Sequence, residues 1–290
     1  MVLLFGDSWA RHACCHRDNK DGRWLTTSLN GVNIEQEISG YCHWDLDNVF
    51  VEFLTNDWFN SYFKKYQIIN FAEFGNTNDW ILRDMYERLP RVSNFSKQID
   101  VVVYQTDPMR IFAPRADYTN RDIVWPNFVA WAERNSFDYQ QKTLNDLVDI
   151  IFDNFYERLE GIKYHALNQF GIDIKLHLVG GVNAIYTPAL KHKHINVCIP
   201  SVSEFFGYNN DTVFENHLAL HRLIGFWTES VGSVHRTTLL QEWDYYDKET
   251  TRKAAFWTST PEYFAGRHLT VSGMQHLADH IESYLAASAA

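Results

Sequence analysis

Near its start the chain reads Val2-Leu3-Leu4-Phe5-Gly6-Asp7-Ser8-Trp9, an apolar run followed by a glycine, an acid and a hydroxyl. Ester hydrolysis at neutral pH needs a hydroxyl activated by a base, and donors for the oxyanion that forms as it attacks. The four apolar residues predict a buried strand, and Gly6 allows a sharp turn before a helix beginning around Trp9. Such a turn would lift Ser8 to the end of a sheet and to a helix N-terminus, where developing negative charge is favoured. Alone, the tripeptide reads better as Asp7 and Ser8 merely capping a helix. A base must therefore be sought elsewhere.

His268 is that candidate, in Tyr263-Phe264-Ala265-Gly266-Arg267-His268-Leu269-Thr270. The following Met274, Leu277, Ala278, Ile281 and Leu285 trace one face of a last helix, with Thr270 placed to cap it. Together the two ends resemble the SGNH (GDSL-type) hydrolases. Gly6-Asp7-Ser8 stands for the nucleophile block and Gly266-Arg267-His268-Leu269-Thr270 for the histidine block. The likeness extends over essentially the whole chain. It implies a three-layer α/β/α sandwich with a mostly parallel, flavodoxin-like sheet, Ser8 as nucleophile and His268 as base.

The resemblance also exposes departures. In that family an aspartate three residues before the histidine orients it, and here the position is Ala265. Glu262 or a backbone carbonyl could hold the ring instead, or the alanine could be an inactivating replacement that leaves substrate bound; the well-kept flanks favour the last. Losing the orienting acid of a triad lowers turnover by about 10⁴-fold, so the chain is expected to be nearly inert as given. Gly75 matches the glycine whose amide faces the oxyanion, although a turn glycine reads equally well. Where the family carries Gly-x-Asn-Asp, this chain has Gln105-Thr106-Asp107-Pro108, and an ionised Asp107 cannot donate. Thr106, Gln105 or a nearby amide would have to substitute, or Asp107 would bind Arg110. That run, through Arg110, is similar to one in SGNH-like proteins of bacteriophages. Asn76-Thr77-Asn78-Asp79 imitates the block after the wrong strand, yet Asn76 or Asn78 could supply a donor. Asp7, Asn76, Thr106 and Arg110 are thus candidate substrate or support residues.

The elements that must position these groups follow from periodicity. Strands are predicted at 2–5, Tyr66–Phe71, Ile99–Tyr104, Ile174–Val179 and Ile195–Ile199. Helices are predicted from about Trp9 to residue 16, through Trp80, Leu82, Met85 and Leu89, and from Phe137 to about Phe170. Residues 17–65 read as an excursion packed around the site, and 109–136 as a Pro- and Trp-bearing loop over the mouth of the sheet. Its aromatics could stack on a sugar or acyl chain, or fill the core. Alternating strands and helices indicate an α/β sandwich over a single domain, 1–290, with ligands beyond the carboxyl ends of the strands.

Composition narrows the function classes. At 290 residues and 46% hydrophobic content the chain can bury a continuous core. A formal charge of −10 argues against nucleic acid as partner. Cys14, Cys15, Cys42 and Cys198 lack CxxC spacing and read as reduced thiols. The short opening apolar run and the absence of a longer one predict no signal peptide and no membrane span, hence a cytoplasmic protein, and the resemblance of the 105–110 run implies a phage-encoded one. No metal is expected: His217 and His221 lie four apart without a third ligand, His192-Lys193-His194 reads as a solvated loop, and Cys14-Cys15-His16 with Cys42-His43 lacks ligand spacing. Neither GxGxxG nor GxxxxGK[ST] follows a strand, which disfavours a nucleotide-binding module. The expectation is a cofactor-free serine esterase acting on a small-molecule or carbohydrate ester, with O-acetylated carbohydrate as first substrate; the alternative is a catalytically dead binding protein on the same fold.

Overall fold

The computed structural model describes residues 1–16, 42–43, 52–73, 75–92, 94–112, 121–181, 192–209, 217–265 and 268–289. Strand β1 is Val2–Phe5, and its residues are buried throughout. Leu3 and Phe5 enter the apolar cluster on one face of the sheet, Val2 and Leu4 the cluster on the other. This is the period-2 alternation of a strand covered on both sides. Strands β2 (His12–His16), β3 (Cys42–His43) and β4 (Glu52–Trp58) form a separate antiparallel sheet in the order β2-β4-β3. The chain then returns to β5 (Ile68–Asn70), α1 (Asn78–Val92), β6 (Gln98–Tyr104), α2 (Arg121–Arg134), α3 (Leu144–Phe170), β7 (Asp173–Val179) and β8 (Ile195–Ile199). Helices α4 (Val202–Phe205), α5 (His217–Ser230) and α6 (Ser233–Ser259) lead to a short antiparallel pair, β9 (Phe264–Ala265) and β10 (His268–Leu269), and to α7 (Val271–Ala289).

The main sheet has five parallel strands in the order β5-β1-β6-β7-β8. Numbered along the chain, that is 2-1-3-4-5, the doubly wound order whose direction reverses between β1 and β6. One face is covered by α1, α2, α3 and α5, whose Ile81, Met85, Phe128, Leu147, Phe152 and Trp227 share a cluster with Leu3 and Val101. The opposite face is covered chiefly by α7, through Met274, Leu277, Ala278 and Ile281. The fold is a three-layer α/β/α sandwich.

Local signals explain the element ends. Thr143 and Asp146 form a reciprocal capping box at the start of α3, and Gly171 ends it in the left-handed conformation (φ 62°). Thr270 Oγ1 accepts from Gly273 N at 3.1 Å, capping α7 as expected. The Glu282 carboxylate, buried on α7, accepts backbone N–H bonds from Lys64, Lys65 and Tyr66 and so fixes the approach to β5.

Three local expectations need correction. Ser8–Ala10 form a single 3-10 turn, and the chain continues into β2 instead of a helix through residue 16. The long helix begins at Leu144, not Phe137. The stretch 109–136 is not a loop: it holds a 3-10 turn at Pro108–Phe112 and helix α2, with 113–120 outside the described residues. Of the excursion at 17–65, only β2's neighbours β3 and β4 and the turn Phe59–Tyr62 precede β5 among the described residues. Among the described residues no helix is long and apolar enough to cross a membrane.

Candidate active site

Gly6 ends β1 where the backbone passes close to β6. A Cβ built there would lie 2.6 Å from Tyr104 Cβ and 2.8 Å from Ala10 Cβ, so only glycine fits. Asp7 then caps the following turn, its Oδ1 accepting from Trp9 N at 3.0 Å. The capping reading of Asp7 is therefore correct. It does not exhaust the turn, because Ser8 Oγ lies 3.0 Å from His268 Nε2. These residues are 260 positions apart in sequence, and the doubly wound sheet plus the β9–β10 hairpin brings them into hydrogen-bond contact. Ser8 is buried at 8% exposure and His268 is half-buried.

His268 is held by the hairpin and by an indole. Its ring stacks on Trp9, with centroids 5.3 Å apart and planes at 26°. Trp9 is itself buried against Trp257 and Phe264. Ala265 is fully buried and is the direct cross-strand partner of His268. Glu262 is exposed; it meets Thr270 through its backbone carbonyl, and no hydrogen bond or ion pair joins its carboxylate to His268. Gly266 and Arg267 lie outside the described residues.

Behind the serine, the Asp7 carboxylate is the hub of a buried network. Its Oδ2 accepts from Thr106 Oγ1 and from Arg110 Nη1, both at 2.8 Å. Arg110 Nη1 also donates to the Asn76 carbonyl at 3.3 Å, and Asn76 Nδ2 to the Gly6 carbonyl at 3.2 Å. Asn78 clamps the end of β6, donating to Thr106 O at 3.1 Å and accepting from Thr106 N at 3.0 Å. All four candidate support residues, Asp7, Asn76, Thr106 and Arg110, thus come together. Arg110 pairs with Asp7, not with Asp107. The false match Asn76-Thr77-Asn78-Asp79 turns out to supply the clamp between β1, α1 and β6.

The oxyanion candidates separate. Gly75 sits at φ 68° in a turn closed by Asn76 N on Glu73 O, and Glu73 N donates to Gly6 O at 3.1 Å, so this loop runs alongside the Ser8 turn. Asp107 is fully buried and its Oδ1 accepts from Met109 N at 2.7 Å, an acceptor role. Thr106 directs its hydroxyl proton to Asp7, and Gln105 Oε1 accepts from Tyr156 OH at 2.5 Å. The phenol of Tyr104, beneath Gly6, is pushed well above its ordinary range by burial and by the Asp7 carboxylate.

Other singled-out residues are structural. Trp125 and Trp131 of the 109–136 stretch pack on Phe128 and Phe112 respectively, filling the core. His221 packs edge-on to Trp243, and the His217 side chain lies outside the described residues. His192 is not solvated: only 10% exposed, it lies between Glu160 (3.0 Å) and Asp153 (3.4 Å). The thiols of Cys14, Cys15 and Cys42 lie outside the described residues, whereas burial pushes the Cys198 thiol up to about 12. No group of three metal-ligating side chains occurs among the described residues.

Sequence reasoning missed Trp9, which follows Ser8 and stacks on His268; its adjacency to Ser8 was the available signal. Comparison of the chain with protein-family models, curated proteins and solved structures returns no match.

Proposed function

We propose that this protein is a serine ester hydrolase of the SGNH type. The observation that carries the reading is the 3.0 Å contact between Ser8 Oγ and His268 Nε2 at the carboxyl end of β1, beside the point where strand order reverses. Ser8 attacks the ester carbonyl while its proton passes to His268 Nε2. The Ser8 and Gly75 amides receive the oxyanion, and the imidazolium then returns the proton to the leaving alcohol. Asp7, neutralised by Arg110, anchors the serine turn without contributing net charge to it. No cofactor takes part in this scheme, and the substrate class is a carboxylic ester, with O-acetylated carbohydrate first.

A fluorophosphonate probe tests the reading directly. Labelling at Ser8, lost in Ser8→Ala and strongly slowed in His268→Ala, is the expected result. Ser8 left unlabelled in both this chain and a well-folded Ala265→Asp variant would remove the hydrolase reading. A second reading, an inactive binding protein on the same fold, is favoured by two features: Ala265 at the acid position, and Asp107 accepting where a donor is needed. It predicts silence towards the probe both in the chain as given and in Ala265→Asp.

A further inference from the structure

The stack of Trp9 on His268 joins nucleophile and base through adjacent residues. Trp9 is 1% exposed, and its backbone N–H is held by Asp7 while its ring is wedged against Trp257 (5.8 Å) and Phe264 (6.4 Å). Phe264 belongs to β9 and pairs across the hairpin with Leu269, next to His268. The indole therefore has little freedom, and the imidazole lying on its face inherits that restriction. A cation within about 6 Å of an indole centroid is attracted by the ring quadrupole, more strongly where water is excluded. The 5.3 Å, near-parallel geometry meets that condition.

We propose that Trp9 is the positioning residue for the catalytic imidazole: its indole face sets the plane that aims Nε2 at Ser8 and stabilises the imidazolium formed in the attack. The inference rests on the hydrolase reading and deepens it. In the step concerned, the Ser8 O–H bond breaks and an oxygen electron pair forms the bond to the ester carbon, whose C=O π pair moves onto the carbonyl oxygen as the oxyanion. The proton goes to Nε2, leaving a positive ring over the indole. An indole sits here beside a hairpin whose cross-strand position holds an alanine.

Among the described residues, the charged and titratable groups on the elements around the ring are these. The Ser8 turn contributes Asp7, committed to Arg110 and Thr106, and is followed by Arg11, whose guanidinium lies over the Trp58 ring at 4.9 Å. Strand β2, which packs on β10, carries His12, Cys14, Cys15 and His16. The described residues of β9 and the first turn of α7 carry no titratable group.

The test uses the full chain with isotope-labelled histidine, the His268 resonance being assigned by its loss in His268→Gln. Trp9 is replaced by Phe, by Leu, and, through codon reassignment at that position, by progressively fluorinated tryptophan, which keeps the shape while draining the ring quadrupole. The His268 titration midpoint is expected to fall by about 0.5 to 1.5 pH units in Trp9→Leu, and by part of that in Trp9→Phe and across the fluorinated series. Above the midpoint, fluorophosphonate labelling of Ser8 should slow about three- to thirtyfold in the same order. Fluorinated chains that fold normally and titrate like the parent would overturn the inference, even with Ser8 still labelling. Conversely, Ser8 that never labels in either the parent or Ala265→Asp, with a parent His268 midpoint that still falls with fluorination, would sink the hydrolase reading and leave the stack standing.

Discussion

Restoring an acid opposite His268 is the sharpest perturbation this site offers. Ala265 and His268 are direct partners in an antiparallel pair joined by only two residues. Opposed residues in such pairs carry Cβ atoms about 4.5–5.5 Å apart, a gap that the carboxyl of Ala265→Asp spans towards the imidazole edge. A carboxylate there would fix the tautomer with Nε2 unprotonated and stabilise the imidazolium. In a complete triad that is worth about 10⁴-fold. Because the Trp9 stack already restrains the ring, Ala265→Asp should raise fluorophosphonate labelling and aryl acetate hydrolysis by about 10²- to 10⁴-fold, with Ala265→Asn giving little of that gain.

The energetic counterpart is separable. Position 265 is fully buried, and an uncompensated buried charge costs about 3–5 kcal/mol. Ala265→Asp should therefore be tolerated when His268 is present and strongly destabilising when combined with His268→Ala, as read by urea midpoints at pH 7. A carboxylate paired in the fold has its pKa depressed, so the contribution is present above the ordinary aspartate range and lost as pH falls through the folded value. A folded Ala265→Asp protein that labels no faster than the parent, and loses no further stability on His268→Ala, would refute the assignment of this hairpin as the acid–base pair.

Further outcomes follow from the buried groups. Asp7→Asn and Arg110→Met should each cost about 3–5 kcal/mol by stranding the partner, while the double variant costs clearly less than the sum in a urea double-mutant cycle. Cys198, whose thiol is pushed up to about 12 by burial, should resist iodoacetamide in the native protein at pH 8 and alkylate after unfolding, as resolved by peptide mass spectrometry. The hydrogen bond from His177 holds the Asp100 carboxyl below its usual range. Its stabilising contribution is thus full above the ordinary aspartate range and lost as pH falls through the lowered value, so Asp100→Asn should flatten the acid limb of a stability–pH profile.

What the sequence revealed, and what it hid, divides along a physical line. Strands β1 and β6 are legible because a strand covered on both faces has no choice but to be apolar, and Val101-Val102-Val103 allows no other reading. Helix α3 is legible through its apolar face, whereas the Thr143–Asp146 capping box that fixes its true start is missed and the start falls at Phe137 instead. Helix α6 gave no such signal: its buried positions include Glu249 and Lys253, so the amphipathic stripe is broken. The turn after β1 was misread as a helix start because Trp9 and Ala10 suit a helix locally, while tertiary pairing of β2 with β4 claims the residues that follow. The same competition runs through the site. The turn that carries Ser8 and the capped final helix that follows His268 are legible from their flanks, since both are short-range features. The support residues Asp7, Asn76, Thr106 and Arg110 are nameable too, but not their partners, because the Asp7–Arg110 pair and the Trp9 stack exist only once β1, β6 and the β9–β10 hairpin converge. Asp107 shows the consequence: although it lies three residues from Arg110 and matches it in charge, its Oδ1 accepts from the Met109 amide, while the Arg110 guanidinium pairs with Asp7, 103 positions away.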